Sequence, residues 1–128
     1  MTAPSTRPAI VLFAHGSRDP QWRAPIEAVA ERIRALAPGA AVACAYLEYT
    51  EPTLETVVAQ LAGSGATAIA VWPMFLGTGR HARDDLPRLV DALRAQHPGI
   101  DFTLQAAIAE HPDVLHAMAA AALQSGHP

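Results

Sequence analysis

Ala9-Ile-Val-Leu-Phe-Ala-His15-Gly-Ser-Arg-Asp19 is an apolar run that stops on a histidine followed at once by glycine. A short, unbroken apolar run of this kind reads as a strand covered on both faces. A second stretch, Ala70-Val-Trp-Pro-Met-Phe-Leu-Gly-Thr-Gly-Arg-His81, repeats the pattern with a longer connection before its histidine. In an open parallel α/β sheet, ligands bind beyond the carboxyl ends of the strands, where strand order reverses. Two buried strands that each run toward an imidazole therefore point to chemistry at one sheet edge.

Outward from these runs, short apolar stretches alternate with longer ones of helical spacing, the signature of repeated βα units. Four units are expected. A strand near 9–14 precedes a helix from about Gln21 to Leu36 with Ile26, Val29, Ala30, Ile33 and Leu36 on one face, ended by Pro38-Gly39. A strand near 41–47 precedes a helix with Pro52 at its first position and Leu54, Val57, Val58 and Leu61 inward, closed by Gly63-Ser-Gly65. The third strand, 68–74, is followed by an irregular segment from Phe75 to Asp85. Its helix then has Asp84 or Asp85 as cap, Pro87 in the first turn and Leu86, Leu89, Val90 and Leu93 inward. A fourth strand, 101–106, leads to an alanine-rich helix from about Pro112 to Leu123. Right-handed crossovers make the expected fold α/β: an open, mainly parallel four-stranded sheet in the order 2-1-3-4 with helices on both faces.

The chain of 128 residues has the size of one domain, expected over 1–128 with residues 1–8 as a flexible N-terminus. Hydrophobic residues make up 51% and charged residues 16%, a globular balance, and no apolar stretch approaches the ~20 residues of a membrane span. Residues 1–8 lack the apolar core of an export signal, so the expected location is cytoplasmic, without a membrane partner. All nine basic residues are arginine and the net charge is −3, so there is no basic stripe for nucleic acid and no Schiff-base or P-loop lysine. Cys44 is the one cysteine and lies in an apolar run, which excludes an intramolecular disulfide and predicts a buried, inert thiol.

Strands 1 and 3 are neighbours in the expected order. Strands lie about 4.8 Å apart, so His15 and His81 fall within reach of one small ion, and strand 2 brings Glu48 to the same rim. Two imidazoles and a carboxylate form an incomplete ligand set for Co2+, Fe2+, Ni2+ or Zn2+ that leaves positions open. The bland readings are a strand-end histidine bonded to a carbonyl, a solvent-exposed loop histidine and a local cap at Glu48. Ser17 is expected to help cap the first helix, and Gly77-Thr78-Gly79 is a phosphate-cradle candidate that lacks the Walker lysine and the dinucleotide fingerprint. Glu51 reads as a helix-start residue, His111 as an N-terminal cap, and His97, His116 and His127 as surface residues.

Taken together, Leu12-Phe-Ala-His15-Gly-Ser-Arg18, Tyr46-Leu-Glu48-Tyr-Thr-Glu-Pro-Thr-Leu54, Pro73-Met-Phe-Leu-Gly-Thr-Gly-Arg-His81-Ala-Arg-Asp-Asp-Leu-Pro87 and Ala109-Glu-His-Pro-Asp-Val-Leu115 resemble the small CbiX-type sirohydrochlorin chelatases. This is a branch of the class II chelatases, and the resemblance implies a flavodoxin-like half-lobe. It also implies an enzyme, a lyase inserting Co2+, Fe2+ or Ni2+ into a tetrapyrrole of cobalamin- or siroheme-type synthesis, with the metal as substrate and no organic cofactor. His15 and His81 match the family's metal-binding histidines and Glu48 an acidic rim position; one of the three would accept protons. Arg18, Arg80 and Arg83 suit the peripheral carboxylates of such a ring, beside Ser17, Gly77, Thr78 and Gly79. Longer relatives hold two facing lobes, so a single lobe implies a homodimer. The rivals are a non-catalytic module that binds and passes on a divalent metal, and a histidine phosphatase. The phosphatase signature has arginine directly before the first histidine, where this chain has Ala14.

Overall fold

The computed structural model describes residues 6–77 and 79–125, without the side chains of residues 80–82 and 125. Strands β1 (Pro8–Ala14), β2 (Ala41–Tyr46), β3 (Ala68–Pro73) and β4 (Asp101–Leu104) form one sheet in the order β2-β1-β3-β4. Every pairing is parallel. Helices α1 (Ala24–Leu36), α2 (Leu54–Gly63), α3 (Arg80–Gln96) and α4 (Pro112–Ser125) connect or follow the strands, with short 3-10 turns at Pro20–Arg23 and Ile108–Glu110.

The alternation of β1 side chains divides the interior. Ala9, Val11 and Phe13 face one side, where Val57 and Val58 of α2, Val90 and Leu93 of α3, and Ile69 and Val71 of β3 complete the main core. Leu12 faces the other side with Val42 and Ala30, bordered by Ile10, Ile26, Ile33, Trp72 and Met74. That second layer is thinner. Leu36 is 84% exposed rather than part of the stripe, and among the described residues α4 contributes no buried side chain. Between α1 and α4 an apolar groove of about 400 Å³ remains over the sheet, lined by Ile10, Leu12, Val29, Trp72, Met74 and Val114 among others.

The two edge strands are covered in the same way. Arg34, in the last turn of α1, is held by Glu31 (2.7 Å) and donates to the Val42 carbonyl of β2 (3.1 Å). Arg94, in the last turn of α3, is held by Asp91 (2.6 Å) and donates to the Phe102 carbonyl of β4 (3.1 Å). Each arginine caps an edge group that would otherwise be open to another strand.

Several sequence boundaries move. The ordered chain reaches into the expected flexible N-terminus: Pro8 begins β1, and the Arg7 amide donates to the Thr67 hydroxyl (2.7 Å). The first helix is split, because Asp19 caps a 3-10 turn through the Gln21 amide before α1 begins. Pro52 precedes α2, whose cap is Thr53, bonded to the Thr56 amide (3.2 Å). Helix α3 starts at Arg80 with Gly79 as its cap residue, so Asp84, Asp85 and Pro87 all lie inside it. Strand β4 stops at Leu104.

Candidate active site

At the carboxyl end of β1 the chain cannot continue straight. Gly16 turns at φ 97°, a left-handed conformation that glycine adopts without steric cost. A Cβ at Gly16 would overlap the Glu48 carbonyl oxygen. That close approach lets the loop after β1 lie directly on the loop after β2. The Glu48 amide donates to the His15 carbonyl (3.0 Å), and the Leu47 amide donates to the Ala14 carbonyl (2.9 Å). One residue further, the Ser17 amide donates to the Thr50 hydroxyl (3.1 Å), which itself donates to the Ser17 carbonyl (2.8 Å). The structure thus brings His15, Ser17 and Glu48 together on one crest and clasps the backbones that carry them.

The third strand supplies a wall. The Met74 amide donates to the Phe13 carbonyl (2.8 Å), and the buried Phe75 ring lies 5.4 Å from the exposed His15 imidazole. The imidazole is open to solvent and backed by an apolar ring. Arg18 and Glu48 are exposed too, and the Arg18 guanidinium lies 4.8 Å from the centre of the Tyr49 ring.

The connection to α3 differs from expectation. His81 stands in the first turn of a helix, not in a loop, because Gly79 rather than an aspartate ends the irregular segment. Its side chain and that of Arg80 lie outside the described residues, as does all of Thr78. Gly77 and Gly79 face open space where side chains would stand. Arg83 lines a cleft with Pro73, Leu86, Gln105 and Glu110, between α3 and the end of β4. Among the described residues no cluster of three or more His, Cys, Asp or Glu side chains surrounds a common point. The described part of the crest is therefore one imidazole, one carboxylate and one guanidinium.

Other expectations resolve locally. Ser17 accepts from the Asp19 amide (3.1 Å) and so orders the turn that precedes α1. His111 accepts from the Asp113 amide through Nδ1 (3.1 Å), the capping role read from Pro112. His116 is exposed, His97 is half-buried against Phe102, and His127 lies outside the described residues. Cys44 is half-buried rather than buried, and burial, with Glu27 nearby, pushes its thiol pKa up. The sequence reading missed Tyr49, Thr50 and Phe75, whose place at the crest follows from how three loops meet.

The CbiX family profile matches residues 9–125. The chain belongs to the CbiX family. A CbiX protein of solved structure from Marinobacter aquaeolei VT8 superposes with a TM-score of 0.80 at 35% identity, over 92% of this chain and 96% of that one. SirB from Bacillus subtilis, solved with Fe3+, has a TM-score of 0.78 at 28% identity, over 96% of this CbiX chain and 49% of SirB. Among curated relatives, the sirohydrochlorin cobaltochelatase of Methanopyrus kandleri is 37% identical over 82 residues, 64% of this chain and 57% of that protein. This CbiX chain therefore spans less than two thirds of that relative and about half of SirB.

Proposed function

We propose that this CbiX chain is a metal chelatase, a lyase that inserts Co2+ or Fe2+, with Ni2+ third, into sirohydrochlorin or a close tetrapyrrole. The observation that carries this reading is the exposed His15 imidazole on the central strand end, with Glu48 clasped beside it, in a chain akin to a sirohydrochlorin cobaltochelatase. The Fe3+ in SirB supports iron as a second candidate.

Insertion exchanges two pyrrolic N–H protons for one divalent ion, so a site must hold a partly dehydrated metal and accept protons. His15 and His81 hold the ion, and Glu48 or one of the imidazoles takes the protons. Two protein ligands leave room for the ring nitrogens to replace water on the metal. Arg18, Arg80 and Arg83 pair with carboxylates at the ring periphery, and Ser17 and the 77–79 segment border the ring. The metal is a substrate, and no organic cofactor has a role in this chemistry.

Two copies together enclose the macrocycle. The apolar groove between α1 and α4, which a second copy would cover, supports this. We place the reaction in the cytoplasm, which accords with the lack of any described helix long and apolar enough to cross a membrane.

Steady-state absorbance assays with sirohydrochlorin and each metal in turn test the reading. The wild type should turn over many equivalents with cobalt or iron, and Glu48→Gln should slow it by about a hundredfold or more, the usual scale for a lost acid–base group. Metal binding without turnover would instead make the chain a carrier.

A further inference from the structure

The two clasped loops carry a pair that the clasp does not use. Tyr49 is 61% exposed and sits at φ 64°, a left-handed backbone conformation that crowds a bulky side chain. The cause is local: its neighbours Glu48 and Thr50 are both bonded to the backbone of the 15–17 loop, so the residue between them has to turn. Glycine or asparagine meets such a turn with less strain. The tyrosine ring belongs to neither core cluster. Its partner is Arg18, whose guanidinium lies over the ring face at 4.8 Å, the geometry of a cation–π pair. Across His15, on the β3 side, Leu76 follows Phe75 and is 81% exposed. The crest thus carries an exposed aromatic face with a cation on one side of the imidazole and an exposed aliphatic side chain on the other.

Strained, exposed residues held by their surroundings gather at ligand sites. We propose that Tyr49 and Arg18 form a receptor for one edge of the planar, polycarboxylate macrocycle, Tyr49 stacking on a pyrrole ring and Arg18 pairing with a carboxylate beside it, with Leu76 as the apolar contact opposite. This rests on the chelatase reading and assigns Tyr49 to substrate binding. Arg18 is pre-oriented by the tyrosine face, so the flexible guanidinium loses less freedom when it meets the carboxylate.

The test is equilibrium titration of the metal-free protein with sirohydrochlorin, followed by macrocycle absorbance and paired with thermal melting. Tyr49→Gly removes the ring and relieves the backbone. It should melt at or above the wild-type temperature and bind about tenfold more weakly, the scale of a lost aromatic stack. Tyr49→Phe should bind as wild type, and Arg18→Ala should weaken binding and flatten its dependence on ionic strength. If Tyr49→Gly loosens the fold, Tyr49→Asn is read in its place. Wild-type affinity in the ring-less variant overturns the proposal. So does a fall in melting temperature in both Tyr49→Gly and Tyr49→Asn, which would assign the ring to folding. A wild-type protein that neither binds nor metallates sirohydrochlorin overturns the chelatase reading itself, an outcome distinct from the other two.

Discussion

Gly16 shows how a single missing side chain builds a site. Its positive φ and the closeness of the Glu48 carbonyl leave no room for Cβ, so Gly16→Ala must push the β1 and β2 loops apart. We expect a loss of about 2–4 kcal/mol in chemical denaturation, the range for strain that the backbone cannot relieve, together with a fall in insertion rate. Tyr46 makes a different point. It is buried beside Trp22, with the Cys44 thiol as a neighbour of its hydroxyl. Burial, then the neighbouring Cys44 and Glu27, pushes its pKa up to about 12. An unfolded tyrosine ionises near 10, so between those values the unfolded state has released a proton that the folded state still holds. The stability this group contributes is complete below about pH 10 and is lost as pH rises toward 12. Tyr46→Phe should therefore flatten the alkaline limb of stability against pH. A steeper alkaline limb in the variant would contradict this.

At the scale of elements, the sheet order was legible because β1, β2 and β3 are short apolar runs, all four strands are set off by glycine or proline, and crossover handedness leaves few arrangements. Helix starts were less legible. The Asp84-Asp85 pair and Pro87 imitate a cap and first turn, yet Gly79 begins α3 without any side-chain cap. Packing of Leu86, Val90 and Leu93 into the core outweighs the backbone bond that Pro87 forfeits. This places His81 on a helix. His15 and Glu48 were readable as neighbours because strand order sets β1 beside β2 and both residues follow strand ends, where Ala14 pairs with Tyr46. Tyr49 and Phe75 were not, since a positive φ and a ring against an imidazole arise only when loops from different strands meet. At α2 the cap does follow simple rules. Thr53→Ala should cost about 1 kcal/mol in denaturant unfolding and leave the insertion rate unchanged.

For the whole molecule, the asymmetry of the two faces matters most. The α2–α3 face is closed over the main core, whereas α1 and α4 flank an open apolar groove lined by Val29 and Val114, and Met118, one helical turn after Val114, is exposed. Apolar area of this kind on a single lobe calls for a cover. We expect a dimer by light scattering, and Met118→Asp should shift it toward monomer by placing a charge in the contact. A wild type that stays monomeric at tens of micromolar would contradict the shared enclosure. The central claim is that His15 and His81 together hold the metal at insertion. It is tested most directly by the initial rate of cobalt insertion into sirohydrochlorin for His15→Ala and His81→Ala, each first shown to melt as the wild type does. The account predicts a loss of about a hundredfold or more in both; wild-type rates in both variants would contradict it.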